Sequence, residues 1–294
     1  MSDHDDGGAP SRRVALATLG AVAASVFPAC RTTPVASSTA TRMPTAFVAH
    51  GAPTLALDRA KGKPLRAWGA ALPRPRALLV LSAHWTRSPV TLEASSRPRI
   101  VYDFQGFPDP LYRVTYDAIG APDLMPRVAG LLESFGPVAQ VERGRDHGTW
   151  VPLVHMFPAH DVPILQVSLP IAAGPSRLLA FGRALTPLRD EGVLVLGSGN
   201  VVHNLGEVDF ADAQATPGWA SDFDAFVKDA LVRGDLDALA DHRQKAKASL
   251  RAHPTDEHLL PLLPIAAAAS GGAVRFALEG FEYGTISRRC VQLG

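Results

Sequence analysis

From Pro44 onward, apolar runs too short for helices alternate with longer segments whose apolar positions recur every three or four residues. The runs from Thr45 to Ala49, Ala77 to Ser82, Ile164 to Ser168 and Val193 to Leu196 are apolar on nearly every position. Strands that are covered on both faces of a sheet read this way. Val138 to Glu142 and Val274 to Leu278 are weaker strand candidates. Leu178, Phe181, Leu185 and Leu188 fall at helical spacing, as do Phe223, Phe226, Val227 and Leu231, and predict helices laid against the sheet. The alternation predicts an α/β fold, a single domain with a central mixed, mostly parallel sheet flanked by helices. Residues 44–294 contain no internal repeat and no long linker, so they read as one domain.

The first forty residues read differently. Ser11, Arg12 and Arg13 precede an uncharged stretch from Val14 to Phe27 that is too short to span a bilayer. A paired arginine ahead of a short apolar segment is the pattern of a twin-arginine export signal. Val26-Phe27-Pro28-Ala29-Cys30 resembles a lipoprotein processing site at Cys30, with Pro28 departing from the pattern. The alternative is an ordinary cut in the small-residue tract 34–40. Residues 1–40 are therefore expected to be an export signal and tether. The mature protein is expected to be periplasmic or lipid-anchored in the cell envelope, touching a membrane only through a lipid on Cys30.

Charge and cysteine content narrow the chemistry. Lysine and arginine total 29 against 28 acidic residues, and no run of like charge stands out, so a small molecule rather than nucleic acid is the expected partner. Two cysteines cannot build a disulfide framework or a thiolate cluster, so any metal site must use nitrogen and oxygen ligands.

Ten histidines are present, and three of them share a placement. His50, His84 and His203 each follow the carboxyl end of a predicted strand, the last through the turn expected at Gly197-Ser198-Gly199-Asn200. Ligands of open α/β sheets bind outside those ends, so the three imidazoles are expected at one rim. Imidazole suits Fe(II) or Zn(II), and one such ion per chain is expected. In His253-Pro254-Thr255-Asp256-Glu257-His258, His258 is expected as a further ligand and His253 as a supporting group, while Thr255 or Asp256 serves as the cap of an apolar helix. Arg145-Asp146-His147-Gly148-Thr149-Trp150 reads as a pocket-lining loop. His147 is an acid–base candidate tuned by Asp146, or else a buried ring beside a helix-capping carboxylate. His155, His160 and His242 lack supporting neighbours and read as structural. Gly197-Ser198-Gly199 lacks the lysine of a phosphate loop, and neither Ser82 nor Ser198 sits in a nucleophile elbow.

Taken in order, Val48-Ala49-His50-Gly51-Ala52-Pro53, Leu81-Ser82-Ala83-His84-Trp85, the segment from Asp146 to Leu153, Gly197-Ser198-Gly199-Asn200 with Val202-His203-Asn204-Leu205, and His253 to His258 resemble the class III extradiol dioxygenases of the 4,5-DOPA type. The resemblance spans about residues 44–294 and implies that this stretch is a catalytic domain. It implies that His50, His84 and His203 hold the metal with His258 at or beside the fourth position, that His147 moves protons, and that a catechol and dioxygen are the substrates. Asp103, Phe104, Phe107 and Tyr112 either wall the substrate pocket or form a surface loop packed on the core. Ala52 stands where the family commonly has serine. An export signal departs from a usually cytoplasmic family. A zinc hydrolase and a noncatalytic metal-binding envelope protein remain alternatives, because four nitrogen or oxygen donors also describe a zinc site.

Overall fold

Apolar runs of this kind are satisfied only when both faces of the strand are covered, and the observed sheet meets that demand. The computed structural model describes residues 42–294, so the expected export signal, tether and Cys30 lie outside the described residues. Among the described residues ten strands occur: β1 Thr45–Ala49, β2 Ala77–Ser82, β3 Thr91–Glu93, β4 Ala139–Val141, β5 Ile164–Gln166, β6 Val193–Gly199, β7 Val274–Leu278, β8 Phe281–Glu282, β9 Ile286–Ser287 and β10 Cys290–Leu293. Six form the central sheet in the order β5-β2-β6-β1-β10-β7. The first four run parallel, and β10 and β7 add antiparallel pairs, which makes the sheet mixed and mostly parallel as expected.

Alternation along the strands sorts the core into two layers. Ala46, Val48, Leu78, Val80, Leu194 and Leu196 share one cluster with Leu65, Trp68 and Leu153 from the helices Arg59–Ala71 and His147–Met156. Phe47, Leu79, Leu81, Val193 and Val195 share the other with Leu178, Phe181, Phe223 and Leu263, from the helices Pro175–Leu185, Gly218–Arg233 and Leu262–Ala269. Each fully buried large side chain contributes about 1.5–3 kcal/mol, so both layers are strongly held. Among the described residues, no helix is long and apolar enough to cross a membrane.

Four expectations change. β6 runs through Gly197, Ser198 and Gly199 instead of turning there. A Cβ at Gly199 would lie 2.0 Å from the carbonyl oxygen of His258, so glycine is needed for close approach of that segment, not for a bend. β4 covers the core of the weak candidate Val138 to Glu142 but pairs with β3 outside the central sheet. The helical spacing from Leu178 to Leu188 is split, because Pro187 starts a separate short helix, Pro187–Asp190. β10, which the pattern did not reveal, sits inside the sheet between β1 and β7.

Candidate active site

The parallel strands β1, β2 and β6 end on the same rim of the sheet, and their exits carry the histidines. His50 follows β1 directly, and its N–H donates to the carbonyl of Gly199 at 3.1 Å, extending the ladder with β6. His84 lies two residues beyond β2, after Ala83, whose N–H donates to the carbonyl of Ser198 at 2.9 Å. His203 follows β6 and donates its N–H to the carbonyl of Ala252 at 3.0 Å. His258 arrives from the following segment, where its carbonyl accepts from the N–H of Asn200 at 2.9 Å. His147 opens the helix His147–Met156, whose start reaches the rim because Gly148 has no Cβ; one there would come within 2.8 Å of the His84 ring.

All five rings face one cavity of about 240 Å³, walled by Phe104, Phe107 and other apolar side chains. The His50 and His84 Nε2 atoms are 3.2 Å apart. Ring centroids of His84 and His147 are separated by 4.0 Å, and those of His50 and His258 by 5.3 Å. His203 and His258 stack at 3.5 Å and 8°. One nitrogen from each of His50, His84 and His147 falls within 4.8 Å of the others. The structure thus gathers every histidine singled out for the site, and it also brings His147 as near to His50 and His84 as a ligand would be.

Hydrogen bonds behind the rings set which nitrogen is free. Ser198 Oγ donates its one proton to the carbonyl of Gly148, so toward His50 Nδ1, 3.0 Å away, it can only accept. The His50 proton therefore sits on Nδ1 and the Nε2 lone pair faces the cavity. Glu257 Oε1, 3.2 Å from His258 Nδ1, does the same for that ring. A carboxylate or hydroxyl behind an imidazole is the arrangement that orients metal-binding histidines. Convergent nitrogens so oriented fit a divalent metal of the imidazole-preferring group.

Asp146 and Asp103 divide a task that the sequence assigned to Asp146 alone. Asp146 is fully buried and does not reach the His147 ring. Its carboxylate caps the helix at the Thr149 N–H, accepts from Ser82 Oγ at 2.6 Å and Arg143 at 2.9 Å, and also binds Gln166. It ties the end of β2 to the start of the helix. Asp103 is the carboxylate beside His147: it accepts the His147 backbone N–H at 2.9 Å and lies 3.0 Å from Nδ1, off the line of a good hydrogen bond. Burial opposes ionisation of Asp103, but the His147 contacts outweigh it and hold the carboxyl below its usual range.

Burial dominates the titration of His50, His84, His203 and His258. His84 and His203 are pushed down to about 4. His50 falls well below 6.5 through burial and then the neighbouring imidazoles, and His258 falls well below 6.5 through burial, against the opposing hydrogen bond to Glu257. Neutral rings keep their lone pairs at neutral pH, as metal ligands must. His253, fully buried, is likewise pushed down to about 3. The metal-free protein should therefore lose stability in mild acid. The unfolded chain takes up protons below 6.5 while the folded rings wait until about 4 or lower, so stability is complete above 6.5 and declines as pH falls. The loss is about 1.4 kcal/mol per pH unit for each such ring. Melting temperatures of chelator-treated protein, flat above about pH 7 and falling steeply below about 6, would match this; a flat profile down to about pH 5 would show that the rings are open to water.

The remaining candidates have other places. His253 Nε2 bonds the carbonyl of Val201 at 2.7 Å, just ahead of His203, and the ring does not line the cavity. His155, His160 and His242 find partners at Leu55, Asp117 and Ser249, away from it. Asp256 pairs with Arg243. Phe104 and Phe107 wall the cavity, while Tyr112 packs behind Phe104 at 5.5 Å.

Comparison with known proteins agrees with this architecture. Residues 45–293 match the family described as the catalytic LigB subunit of aromatic ring-opening dioxygenase. A protein of Escherichia coli K12 named 4,5-DOPA dioxygenase extradiol is 37% identical over 262 residues, 86% of this chain and 96% of the relative. A protein of the same name from Beta vulgaris is 37% identical over 226 residues, 74% of this chain and 84% of the relative. The crystal structure of an uncharacterized Escherichia coli K12 protein superposes with a TM-score of 0.74 at 32% identity, covering 86% of this chain and all of that one. The chain belongs to the LigB family of aromatic ring-opening dioxygenases.

Proposed function

We propose that this dioxygenase is metal-dependent and opens a catechol ring in the extradiol manner, with one Fe(II) held by His50, His84, His203 and His258. The observation that carries the reading is the convergence of neutral, oriented imidazoles in an apolar pocket of a ring-opening dioxygenase. Relatives named for 4,5-DOPA support a catechol as substrate. Zinc has no redox chemistry, so a reaction with dioxygen favours Fe(II) over Zn(II) and the dioxygenase over a zinc hydrolase.

The metal, when bound, supplies Lewis acidity and a redox-active centre for catechol and dioxygen. The protein's own residues do the rest. Phe104 and Phe107 flank the ring and keep water out. His147, steadied by Asp103, takes a proton from a catechol hydroxyl and returns it as the ring opens. Anaerobic loading with Fe(II) or Zn(II), followed by oxygen uptake over a panel of catechols, tests the reading. Fe(II) protein should consume oxygen and form a yellow ring-opened product, and Zn(II) protein should not. Turnover by the zinc form without oxygen would sink it.

We also propose that the protein is exported through the signal containing Arg12 and Arg13. Replacing both by lysine should leave the precursor in the cytoplasm, as fractionation would show. Unchanged export would exclude a twin-arginine route.

A further inference from the structure

Fifteen residues line the cavity, and none of them is Asp, Glu, Lys or Arg. Beyond the histidines, the one side chain with a polar group is Tyr283. Leu205, Val208, Phe210, Phe107 and Ile286 give one side of the lining an apolar surface beside Tyr283. Leu205 and Phe210 are 63% and 72% exposed, unusual for large apolar residues beside a site. Their loop is fixed in place. The Asp209 N–H donates to the Tyr283 carbonyl at 3.1 Å, the Asp209 carboxylate accepts from the N–H groups of Ala211, Ala213 and Gln214, and the Phe210 ring lies 5.8 Å from that of Tyr283.

Asp103 and Glu257 stand behind the rings of His147 and His258, at 3.0 and 3.2 Å, and the charged groups around Tyr283 are turned to one another. Lys61 sits 4.8 Å over the Tyr283 ring, 3.7 Å from Glu282 and 3.8 Å from Asp212, and Glu282 also pairs with Arg288 at 3.1 Å. Lys61 and Glu282 line a neighbouring hollow that shares only Ala52 and Tyr283 with the cavity. The other oxygen of that carboxylate, Glu282 Oε1, is buried behind Gly51 and does not open into the cavity. Neither a carboxylate nor an ammonium on the substrate therefore meets a charged group in the lining, and burying either one unpaired is costly.

We infer that the catechol taken by this pocket carries an uncharged, apolar substituent, alkyl or aryl, lodged against Leu205, Phe210 and Tyr283. The inference rests on the catechol dioxygenase reading above and names the substrate class within it.

The test titrates Fe(II)-loaded protein anaerobically with catechols bearing 4-methyl to 4-butyl chains, with zwitterionic DOPA and with anionic 3-(3,4-dihydroxyphenyl)propionate. Calorimetry gives affinity, and oxygen uptake is measured separately on the same preparation. Each added methylene should tighten binding about fourfold. DOPA and the propionate should bind about tenfold or more weakly than 4-propylcatechol. The double variant L205A/F210A should flatten the chain-length trend measured within that variant. DOPA binding as tightly as 4-propylcatechol, or the absence of a trend, would overturn the inference. A trend without oxygen uptake would sink the dioxygenase reading and leave the apolar subsite standing; oxygen uptake without a trend would do the reverse. If L205A/F210A keeps the trend but loses binding to anionic phospholipid vesicles, the two residues are a membrane contact and the inference fails.

Discussion

His50→Ala is expected to strip the metal and abolish oxygen uptake while leaving the fold in place. His50 is 1% exposed, yet its structural contribution is mostly backbone: the N–H that extends the ladder to Gly199 survives in alanine. What disappears is one of four proposed neutral nitrogen donors, with no carboxylate or thiolate in the cavity lining to replace it. The free nitrogen of His50 depends on Ser198, which can only accept from Nδ1, so a graded counterpart exists. Ser198→Ala removes that acceptor and should weaken metal affinity by about 10–100-fold, the usual cost of losing a group that orients a ligand. Metal content by mass spectrometry, read beside a melting curve, separates lost metal from lost fold. Full metal retention by a folded His50→Ala would remove His50 from the ligand set.

The parts of the site that were legible in the sequence are those that depend on local pattern. Apolar runs ending in His50 and His84 locate both a strand and its exit, and a mostly parallel sheet then places those exits on one rim. Other parts depend on contacts between distant segments. Gly197-Ser198-Gly199 has the composition of a turn, but the His258 segment presses on it and the pairing of β6 with both β1 and β2 holds it extended. Local propensity loses there to tertiary packing. The same run hides the role of Ser198, which appears only when Gly148 and His50 are brought to either side of it. Asp103 meets His147 across 44 positions of sequence, so adjacency pointed instead to Asp146, whose carboxylate is occupied by the helix start, Ser82 and Arg143. β10 is only four residues long and follows Arg288 and Arg289, whose charges mask an inner strand. Those charges are met in the fold by Glu282 and Asp224.

His147→Ala is the substitution on which the division between ligand and proton carrier turns. Distance alone does not make that division, since a nitrogen of His147 falls in one group with those of His50 and His84. Its setting does differ from theirs. His147 begins a helix rather than ending a strand, its ring has a carboxylate at 3.0 Å, and it faces Phe104 at 5.7 Å, on the wall where an aromatic substrate would lie. A group so placed can exchange a proton with a bound hydroxyl while the other four rings remain available to the metal. The expected result is that His147→Ala keeps its metal and still binds catechol but turns over about 10²–10⁴-fold more slowly, the range for losing a general acid or base. Asp103→Asn should slow turnover less and displace the pH profile of kcat, because the ring stays while its charged neighbour is neutralised. Metal content and single-turnover rate on one preparation decide the matter. Loss of metal would move His147 into the ligand set, and a near-normal rate with metal retained would leave it with only the structural work of opening the helix.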